Sequence, residues 1–182
     1  MPFATIDLHP THSPLTASWL ETQLGTMLAV ANATALCHLV FADEQPCTIP
    51  TQNKISFEVT PLLISLQQEL TAYFAGQLKT FTIPLLPLGT PFQKQAWDAL
   101  CQVPYGETHS YAEQARTIGR PTAYRAVANA NGANPIAIII PCHRIIASNG
   151  HLGGYSSGIH RKQWLLQHEA HVTHHAAKGN PQ

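Results

Sequence analysis

Charged residues are scarce in this chain. Of its 182 residues, 11% are Asp, Glu, Lys or Arg, whereas 45% are apolar. This balance excludes a disordered chain and is typical of a globular protein. No apolar run approaches the roughly 20 residues that a membrane-spanning helix needs, and the first residues lack a basic stretch followed by a long apolar one. We therefore expect a soluble protein without a secretory signal.

The four cysteines include no C-x-x-C pair, and a chain of this length does not need disulfides for its stability. We therefore expect a reducing, cytoplasmic setting. Cys37, His38 and Cys47 fit no compact zinc spacing, so core packing is the preferred interpretation and no metal site is predicted. The histidine-rich segment from His168 to His175 could scavenge a metal ion, but we interpret it as a solvated, frayed end.

The chain has no net charge, but its two halves differ. Residues 1–84 hold two lysines against six acidic residues, a net charge of −4, whereas residues 85–182 hold eight basic residues against four acidic ones, a net charge of +4. An asymmetry this small gives only supporting evidence for a C-terminal half that faces phosphate.

The N-terminal half has the pattern of a small α+β unit. We predict strands near residues 19–23, 27–31 and 35–41, with a turn at Asn32-Ala33, and one more strand over residues 81–85. Residues 47–57 are polar and are predicted to be irregular. Apolar residues recur every three or four positions in residues 62–74, between Pro61 and Gly76, which predicts an amphipathic helix. This half contains no cluster of catalytic residues, so we interpret it as a supporting domain.

The C-terminal half is predicted to be mostly helical. Thr90 and Pro91 open one helix, and Ser110 caps a second helix that continues to residue 118. A Gly-Arg-Pro break separates it from a third helix over residues 122–131. This pattern predicts a helix-turn-helix, but two packed helices without a role in DNA binding would show it equally well. The third helix is rich in alanine, and small residues allow close approach in the minor groove, roughly 6 Å wide. A final helix is predicted over residues 161–169.

Residues 138–144 read Ile-Ile-Ile-Pro-Cys-His-Arg. The apolar, β-branched run before Pro141 predicts a buried strand or extended segment, and pairing should stop at the proline. Cys142 follows this run beside an imidazole and a guanidinium, groups that can activate a thiol as a nucleophile. A Cys-His dipeptide alone is nevertheless more often part of a core, because cysteine is among the most buried residue types.

Other motifs favour a catalytic Cys142 over a core cysteine, because they occur together and in a fixed order. They are Leu88-Gly89-Thr90-Pro91-Phe92-Gln93, Val103-Pro104-Tyr105-Gly106, Ser110-Tyr111, Arg125-Ala126-Val127-Ala128, Asn134-Pro135, Pro141-Cys142-His143-Arg144, Gly154-Tyr155-Ser156 and Arg161-Lys162 followed by Trp164-Leu165-Leu166 and His168-Glu169. From about residue 73 to residue 169 the chain resembles the O6-alkylguanine-DNA alkyltransferases of the stand-alone bacterial type.

The resemblance implies a fold and a domain plan. The fold would be α+β, with a small N-terminal α/β domain of the ribonuclease H-like type followed by a mostly helical, winged-helix-like domain with a helix-turn-helix. The expected bounds are residues 1–84, residues 85–172 and a flexible tail over residues 173–182. Human-type members of the family hold zinc near the N-terminus, and no equivalent set of ligands can be placed here.

The resemblance also implies the chemistry. Cys142 would accept the alkyl group from O6 of guanine, and Glu169, His143 and a bridging water would relay the proton away from its thiol. Tyr111 would donate to the departing base. The thioether product has no activated leaving group, so each molecule should act once and without a cofactor. Whether O4-alkylthymine is a second substrate is left open.

The implied partner is double-stranded DNA that carries O6-alkylguanine, bound through the minor groove by a monomer. Arg125 would fill the gap that the flipped nucleotide leaves, and flipping is needed because the reacting carbon lies inside the duplex. Further DNA contacts are expected from Tyr111, Thr122, Ala123, Ala126 and Arg144.

The resemblance implies a base pocket around the acceptor. Asn134 would tie the helix-turn-helix to the active-site loop. The backbone carbonyls of Cys142 and Ile145 would accept from the guanine amine. Tyr155 and Ser156 would form the pocket loop, where the Ser156 backbone would donate to the base oxygen.

Two other functions compete with this interpretation. A non-catalytic binder of alkylated DNA would keep the pocket and Arg125, but it would lack the acceptor thiol that Cys142 provides. A Cys-His hydrolase of small molecules would turn over repeatedly, and it would not explain an arginine on an alanine-rich helix.

Overall fold

The N-terminal half is organised around a four-stranded β-sheet. In the computed structural model, which describes residues 14–43 and 55–178, the strands are β1 (Leu15–Leu20), β2 (Met27–Ala31), β3 (Leu36–Phe41) and β4 (Ile55–Phe57). Their order is β3-β2-β1-β4, and β4 runs parallel to β1 whereas the other pairs are antiparallel. Every residue of β2 is buried, as a central strand covered on both faces requires.

Helix α1 (Pro61–Phe74) follows the sheet and lies between Pro61 and Gly76, as predicted. The Thr60 side chain accepts from Leu63 N, Pro61 occupies the first turn, and Gly76 lies just beyond the C-terminal end. The buried side of the helix carries Leu63, Leu66, Leu70, Tyr73 and Phe74. These residues belong to the same apolar core as the inner face of the sheet, which places Tyr73 in the interior between the two halves.

The C-terminal half contains α2 (Pro91–Leu100), β5 (His109–Ser110), α3 (Tyr111–Thr117), α4 (Tyr124–Gly132), a 3-10 helix (Cys142–Arg144), β6 (Ile145–Ile146) and α5 (Ile159–Lys178). Strands β5 and β6 pair in parallel. Capping boxes begin two of the helices, from Thr90 and Gln93 in α2 and from Ser110 and Glu113 in α3. The predicted caps of both helices are therefore confirmed.

Helices α3 and α4 form the predicted helix-turn-helix, and buried hydrogen bonds fix their packing. Gln114 on α3 and Asn131 on α4 exchange two side-chain hydrogen bonds of 3.0 and 2.7 Å. Trp97 on α2 donates its indole N–H to the Ala130 carbonyl at 2.8 Å. Because buried polar groups are costly unless they are paired, these bonds specify one arrangement of the three helices.

The predicted fold class is confirmed, but several element predictions were wrong. Strand β1 begins at Leu15 instead of near residue 19, and residues 55–57 form β4 instead of an irregular segment. Residues 81–85 contribute one isolated bridge, Leu36 with Leu85, in place of a strand. Helix α5 continues to Lys178, so residues 173–178 of the expected flexible tail are helical. Cys47 and residues 179–182 lie outside the described residues.

The two halves share one apolar core. A single cluster of buried residues includes Leu39 of β3, Trp97 of α2, Ile136 of the segment before Cys142 and Leu165 of α5. Among the described residues, no helix is both long and apolar enough to cross a membrane. The shared core fixes the segment that carries Cys142 against the N-terminal sheet.

Candidate active site

The segment before Cys142 is attached to the edge of the sheet and then turns away from it. Leu39 of β3 donates to the Pro135 carbonyl at 2.9 Å and accepts from Ala137 N at 2.8 Å. The chain then turns through Ile138, a β-branched residue with φ of +70°. The run over residues 137–140 is buried, as expected, but the prediction of a strand or extended segment there is wrong, because these residues form a turn and the bridge to β3 is at Ile136.

Cys142 begins the 3-10 helix, and its side chain is 7% exposed. Asn134 holds the thiol in place, because its amide nitrogen lies 3.2 Å from Cys142 Sγ and 2.8 Å from the Ile140 carbonyl. The other end of the same side chain accepts from Ile136 N at 3.0 Å. Asn134 thus connects the turn after α4 with the acceptor, the geometry that the resemblance implied.

His143 and Glu169 form a fully buried pair next to the acceptor. His143 Nε2 lies 2.9 Å from Glu169 Oε1. Burial lowers the pKa of His143, and the Glu169 hydrogen bond opposes this lowering only in part. Among the described residues, the second ring nitrogen, Nδ1, is buried without a protein partner. A neutral His143 that donates from Nε2 to Glu169 therefore has Nδ1 available to accept a proton.

Glu169 is the centre of a larger network than the sequence indicated. Besides His143, its carboxylate accepts from Tyr73 Oη at 2.8 Å and from Gly106 N at 3.0 Å. Burial by itself raises the pKa of Glu169, but the hydrogen bonds from His143 and Arg144 outweigh burial and hold this pKa well below its usual range. Gly106 has φ of +80°, and a Cβ there would lie 2.4 Å from Thr173 Oγ1, so this donor position requires glycine.

Arg144 was predicted to contact DNA, and the structure contradicts this. Its side chain is buried and donates from Nε and one terminal nitrogen to Glu169, at 2.9 and 3.0 Å. The other terminal nitrogen donates to the Val103 carbonyl at 2.7 Å. Because Glu169 is a buried carboxylate, the Arg144 guanidinium is bound beside it as a counter-ion. Arg144 therefore holds Glu169 ionised and has no access to a phosphate.

A cavity of 220 Å³ adjoins the thiol. The residues around it come from α3, α4, the acceptor segment and the loop before α5, and they are Tyr111, Ala128, Asn129, Asn131, Gly132, Cys142, Gly154, Tyr155 and Ser156. The predicted pocket residues Tyr155 and Ser156 and the predicted hydrogen-bond donor Tyr111 therefore lie around the same cavity as Cys142. Asn134 acts from behind through Cys142, and Ile145 is fully buried beneath the cavity instead of lining it.

Tyr111 is the first residue of α3 and faces the loop before α5. Gly153 has φ of +68°, and a Cβ there would lie 3.2 Å from Tyr111 Oη, so the loop comes close to the hydroxyl only because this residue is glycine. Burial and the neighbouring Cys142 raise the pKa of the Tyr111 hydroxyl. Tyr111 therefore keeps its proton and can donate a hydrogen bond into the cavity.

The start of α4 forms an exposed edge next to the cavity. Thr122, Arg125 and Ala126 are exposed and Ala123 is half-buried. No side chain caps the helix at Ala123, so its first backbone N–H groups are available to an anion. The sequence interpretation missed Tyr124, which is 46% exposed and whose ring lies 5.7 Å from the Arg125 guanidinium.

Lys162 is a second residue that the sequence interpretation missed. It lies on α5 and is fully buried, and its Nζ donates to the backbone carbonyls of Ile145 and Gly154. Its position inside the Arg161-Lys162 motif was a signal of importance, but a lysine near a helix start is usually solvated. Only the packing of α5 against the acceptor segment shows that this ammonium is part of the site.

Two family sequence profiles match the chain. The profile described as 6-O-methylguanine DNA methyltransferase, DNA binding domain, matches residues 91–171, and the profile for the ribonuclease-like domain of the same family matches residues 15–87. A Methanosarcina barkeri protein named methylated-DNA–protein-cysteine methyltransferase is 47% identical over 154 residues, which cover 82% of this chain and 94% of that protein. A Mycobacterium leprae protein of the same name is 40% identical over 157 residues, covering 84% and 90%.

Solved structures show the same similarity. The crystal structure of Mycobacterium tuberculosis O6-methylguanine methyltransferase superimposes with a TM-score of 0.78 at 39% identity, covering 87% of this chain and 94% of that one. A second structure from that organism, in complex with DNA, also gives a TM-score of 0.78 and covers 86% and 94%.

Proposed function

This chain belongs to the 6-O-methylguanine DNA methyltransferase family, and we propose that Cys142 is the residue to which it transfers the alkyl group. The chain is a DNA-binding repair enzyme that transfers alkyl groups from methylated DNA to a cysteine of its own. The observation that supports Cys142 as the acceptor is its position, because it lines a cavity while the buried His143–Glu169 pair lies directly behind it.

Proton removal from the thiol uses that pair. His143 Nδ1 accepts the Cys142 proton through one bridging water, and the imidazolium that forms is stabilised by the ionised Glu169 at 2.9 Å from Nε2. Because Arg144 keeps Glu169 ionised, the carboxylate supplies charge and orientation and does not itself take up the proton. This arrangement follows the logic of a base that is oriented by a third group.

The thiolate then attacks the alkyl carbon in line with the bond to O6 of guanine. The new bond joins sulfur to carbon, and the carbon–oxygen bond breaks with its electron pair remaining on the base. Tyr111, which keeps its proton, donates a hydrogen bond to the departing base and stabilises the charge that develops there. The thioether that results is not displaced by water, so each protein molecule acts once and the reaction is stoichiometric.

The proposed substrate is O6-alkylguanine in duplex DNA, approached from the minor groove by a monomer. The reacting carbon is inaccessible in a stacked duplex, so the nucleotide must be flipped into the cavity. Arg125, exposed at the start of α4, occupies the gap in the stack. Helix α4 approaches the sugar-phosphate backbone closely through Thr122, Ala123 and Ala126. The uncapped N–H groups at the start of the helix face the same backbone. In this proposal Tyr155 and Ser156 line the pocket, Asn134 holds the acceptor thiol, and the backbone carbonyl of Ile145 accepts from the guanine amine.

We also propose a cytoplasmic location, and it rests on the use of cysteine. The thiolate chemistry requires Cys142 to remain reduced, and the four cysteines include no C-x-x-C pair.

Intact-protein mass spectrometry tests the proposal. The chain is mixed with an oligonucleotide duplex that carries one O6-methylguanine, and we expect one added methyl group per molecule, located on Cys142 by peptide mapping. Cys142→Ala should gain no mass and still bind the duplex. The matched control is Cys101→Ala, which removes an exposed thiol and should still gain one methyl group.

Two results would contradict the proposal. Tight binding of the lesion by unmodified wild-type protein would identify a non-catalytic binder. Release of more than one product molecule per chain would identify a hydrolase.

A further inference from the structure

The loop that forms one wall of the cavity has little regular structure of its own. Residues 153–158, here called the pocket loop, read Gly-Gly-Tyr-Ser-Ser-Gly, and its central residues line the cavity beside Cys142. Gly153 and Gly158 have positive φ, a conformation that glycine adopts without steric cost. A short segment so rich in glycine and serine needs contacts from other parts of the chain to hold one conformation.

Arg161, near the start of α5, supplies such a contact. Its side chain is buried, and one terminal nitrogen, Nη1, donates to the Ser157 carbonyl at 3.0 Å. Ser157 is itself 3% exposed, so the guanidinium binds the pocket loop at the point where the loop enters the core. The residue before it, Ser156, is part of the cavity wall. Arg161 therefore holds the loop one residue away from the cavity.

The N-terminal half holds the rest of the Arg161 guanidinium. Nε donates to the Leu24 carbonyl at 3.1 Å, and Nη2 donates to the two carboxylate oxygens of Asp43, each at 2.9 Å. The guanidinium carbon also lies 4.0 Å from the centre of the Phe41 ring, a cation–π contact at the end of β3. All three nitrogens of the side chain therefore donate, one to the pocket loop and two to the other half of the chain.

A guanidinium transmits position because it is planar and rigid, so its three nitrogens cannot move independently. Leu24 lies in the connection between β1 and β2, and Asp43 follows β3 by two residues. The sheet thus sets the position of the pocket loop through one side chain, although none of the residues described for the N-terminal half lines the cavity.

We propose that Arg161 and Asp43 form a clasp that positions the pocket loop for the alkylated base, so that the N-terminal half determines how tightly the base is bound. The inference rests on the proposed function of the cavity around Cys142. Arg161 is a positioning residue that acts through Ser157. The proton relay behind the thiol is held by other contacts, so loss of the clasp weakens binding of the base and leaves the chemical step unchanged.

The exposure of the two partners determines how large the effect should be. The Arg161 side chain is 8% exposed, whereas that of Asp43 is 67% exposed. Solvent screens an ion pair with one exposed partner, so removal of the Asp43 carboxylate should change the affinity for the base severalfold and not by orders of magnitude. Changes to the buried arginine should have the larger effect, because it also binds Leu24 and Ser157.

The first test measures alkylation of Cys142 by the free base O6-benzylguanine over a range of base concentrations. This separates the half-saturating concentration from the maximal rate. In Asp43→Ala the half-saturating concentration should rise at least about threefold, while the maximal rate stays within about twofold of wild type. Glu58→Ala, which removes an exposed carboxylate from the same half, is the matched control and should change neither quantity.

Arg161→Lys keeps the positive charge but cannot donate to three separate partners at once. It should raise the half-saturating concentration at least about tenfold. In that background Asp43→Ala should add little, because the carboxylate acts only through the guanidinium. Fully additive effects of the two changes, or a lower maximal rate in Asp43→Ala with an unchanged half-saturating concentration, would overturn the proposal.

Hydrogen exchange at the Gly158 amide gives a second readout that needs no substrate. This amide donates to the Tyr155 carbonyl at 3.1 Å within the pocket loop. Its exchange should be at least about threefold faster in Asp43→Ala and unchanged in Glu58→Ala. Unchanged exchange in Asp43→Ala would overturn the clasp even where wild-type protein is alkylated. If O6-benzylguanine does not alkylate wild-type Cys142, the proposed function fails, and the exchange rates still decide whether the clasp positions the loop.

Discussion

At the scale of single residues, the site depends on one carboxylate. Glu169 accepts hydrogen bonds from Tyr73, Gly106, His143 and Arg144, and it is fully buried. These donors keep Glu169 ionised, and the ionised carboxylate orients His143 and makes its imidazolium form accessible. The same residue also compensates the charge of Arg144, so in the proposed mechanism one side chain contributes both to catalysis and to stability.

Glu169→Gln should slow the alkylation of Cys142 by the free base O6-benzylguanine at pH 7 by at least about a hundredfold, because the neutral amide cannot stabilise the imidazolium of His143. The variant should also melt at a lower temperature, since Arg144 is left buried without its counter-ion. Tyr73→Phe is the matched control: it removes one hydrogen bond to the same oxygen but leaves the charge, so its rate should stay within about threefold of wild type. An unchanged rate in Glu169→Gln would remove Glu169 from the relay.

At the scale of elements, two short segments determine what the site can do. Helix α4 combines small side chains with an uncapped start and one exposed arginine, Arg125. The segment before Cys142 is held to β3 at Ile136 and then turns at Ile138 in a left-handed conformation. In the proposed function the first element approaches DNA, and the second places the thiol at the cavity. Both depend on backbone geometry more than on side-chain chemistry.

Arg125→Ala should reduce repair of O6-methylguanine in duplex DNA at least about tenfold, because the vacated space in the stack is no longer filled. Its reaction with free O6-benzylguanine should be unaffected, since no duplex has to be opened. Arg116→Ala, at an exposed arginine on α3, serves as the control and should change duplex repair much less. Equal losses on duplex and free base in Arg125→Ala would contradict the role in flipping.

Ile138 permits a test of backbone strain by thermal unfolding. A β-branched residue at φ of +70° costs about 1–3 kcal/mol. Ile138→Ala loses packing and keeps the strain, whereas Ile138→Gly loses slightly more packing and relieves the strain. We therefore expect the glycine variant to melt at the higher temperature of the two.

Ile139, which is also buried but lacks a positive φ, is the control position. There the usual order should hold, with alanine more stable than glycine by roughly 0.5–1 kcal/mol. The same order at both positions would show that the turn at Ile138 is not strained.

At the scale of the whole molecule, the N-terminal half takes part in positioning the site. Arg161 at the start of α5 donates to the Leu24 carbonyl and to Asp43 in the N-terminal half, and to the Ser157 carbonyl in the pocket loop. Tyr73 of α1 reaches Glu169, and β3 holds the segment before Cys142. The expectation of a merely supporting N-terminal domain therefore understates its contribution, because both halves contact the site.

Methylation of Cys142 should consequently destabilise the whole chain. The added methyl group enters a site where Asn134 lies 3.2 Å from the sulfur, and overpacking of this kind typically costs 1–3 kcal/mol. We expect the melting temperature of the methylated protein to fall by about 2–10 °C. Cys142→Ala treated with the same DNA should show no shift, and an unchanged melting temperature of the methylated wild type would count against this coupling.

The sequence by itself determined those features of the fold and the site that depend on interactions between residues close together in the chain. The helix caps at Thr90 and Ser110 follow from short-range hydrogen bonds, and the period of α1 follows from side-chain spacing. The ordered motifs around Cys142 indicated the family. Strand predictions failed where pairing partners are distant, as at residues 81–85 and 137–140, because an apolar run pairs only if a free sheet edge is within reach.

Only the tertiary structure decided what each charged group in the site does. Arg144 was predicted to contact DNA and Lys162 was assigned no role, because sequence neighbours cannot reveal which distant element covers a side chain. Packing of α5 against the acceptor segment brings Glu169 to Arg144 and brings the Lys162 ammonium to the Ile145 carbonyl. Whether a charge binds a partner, activates a thiol or faces solvent depends on burial and on distances between residues far apart in the chain, and these exist only once the chain has folded.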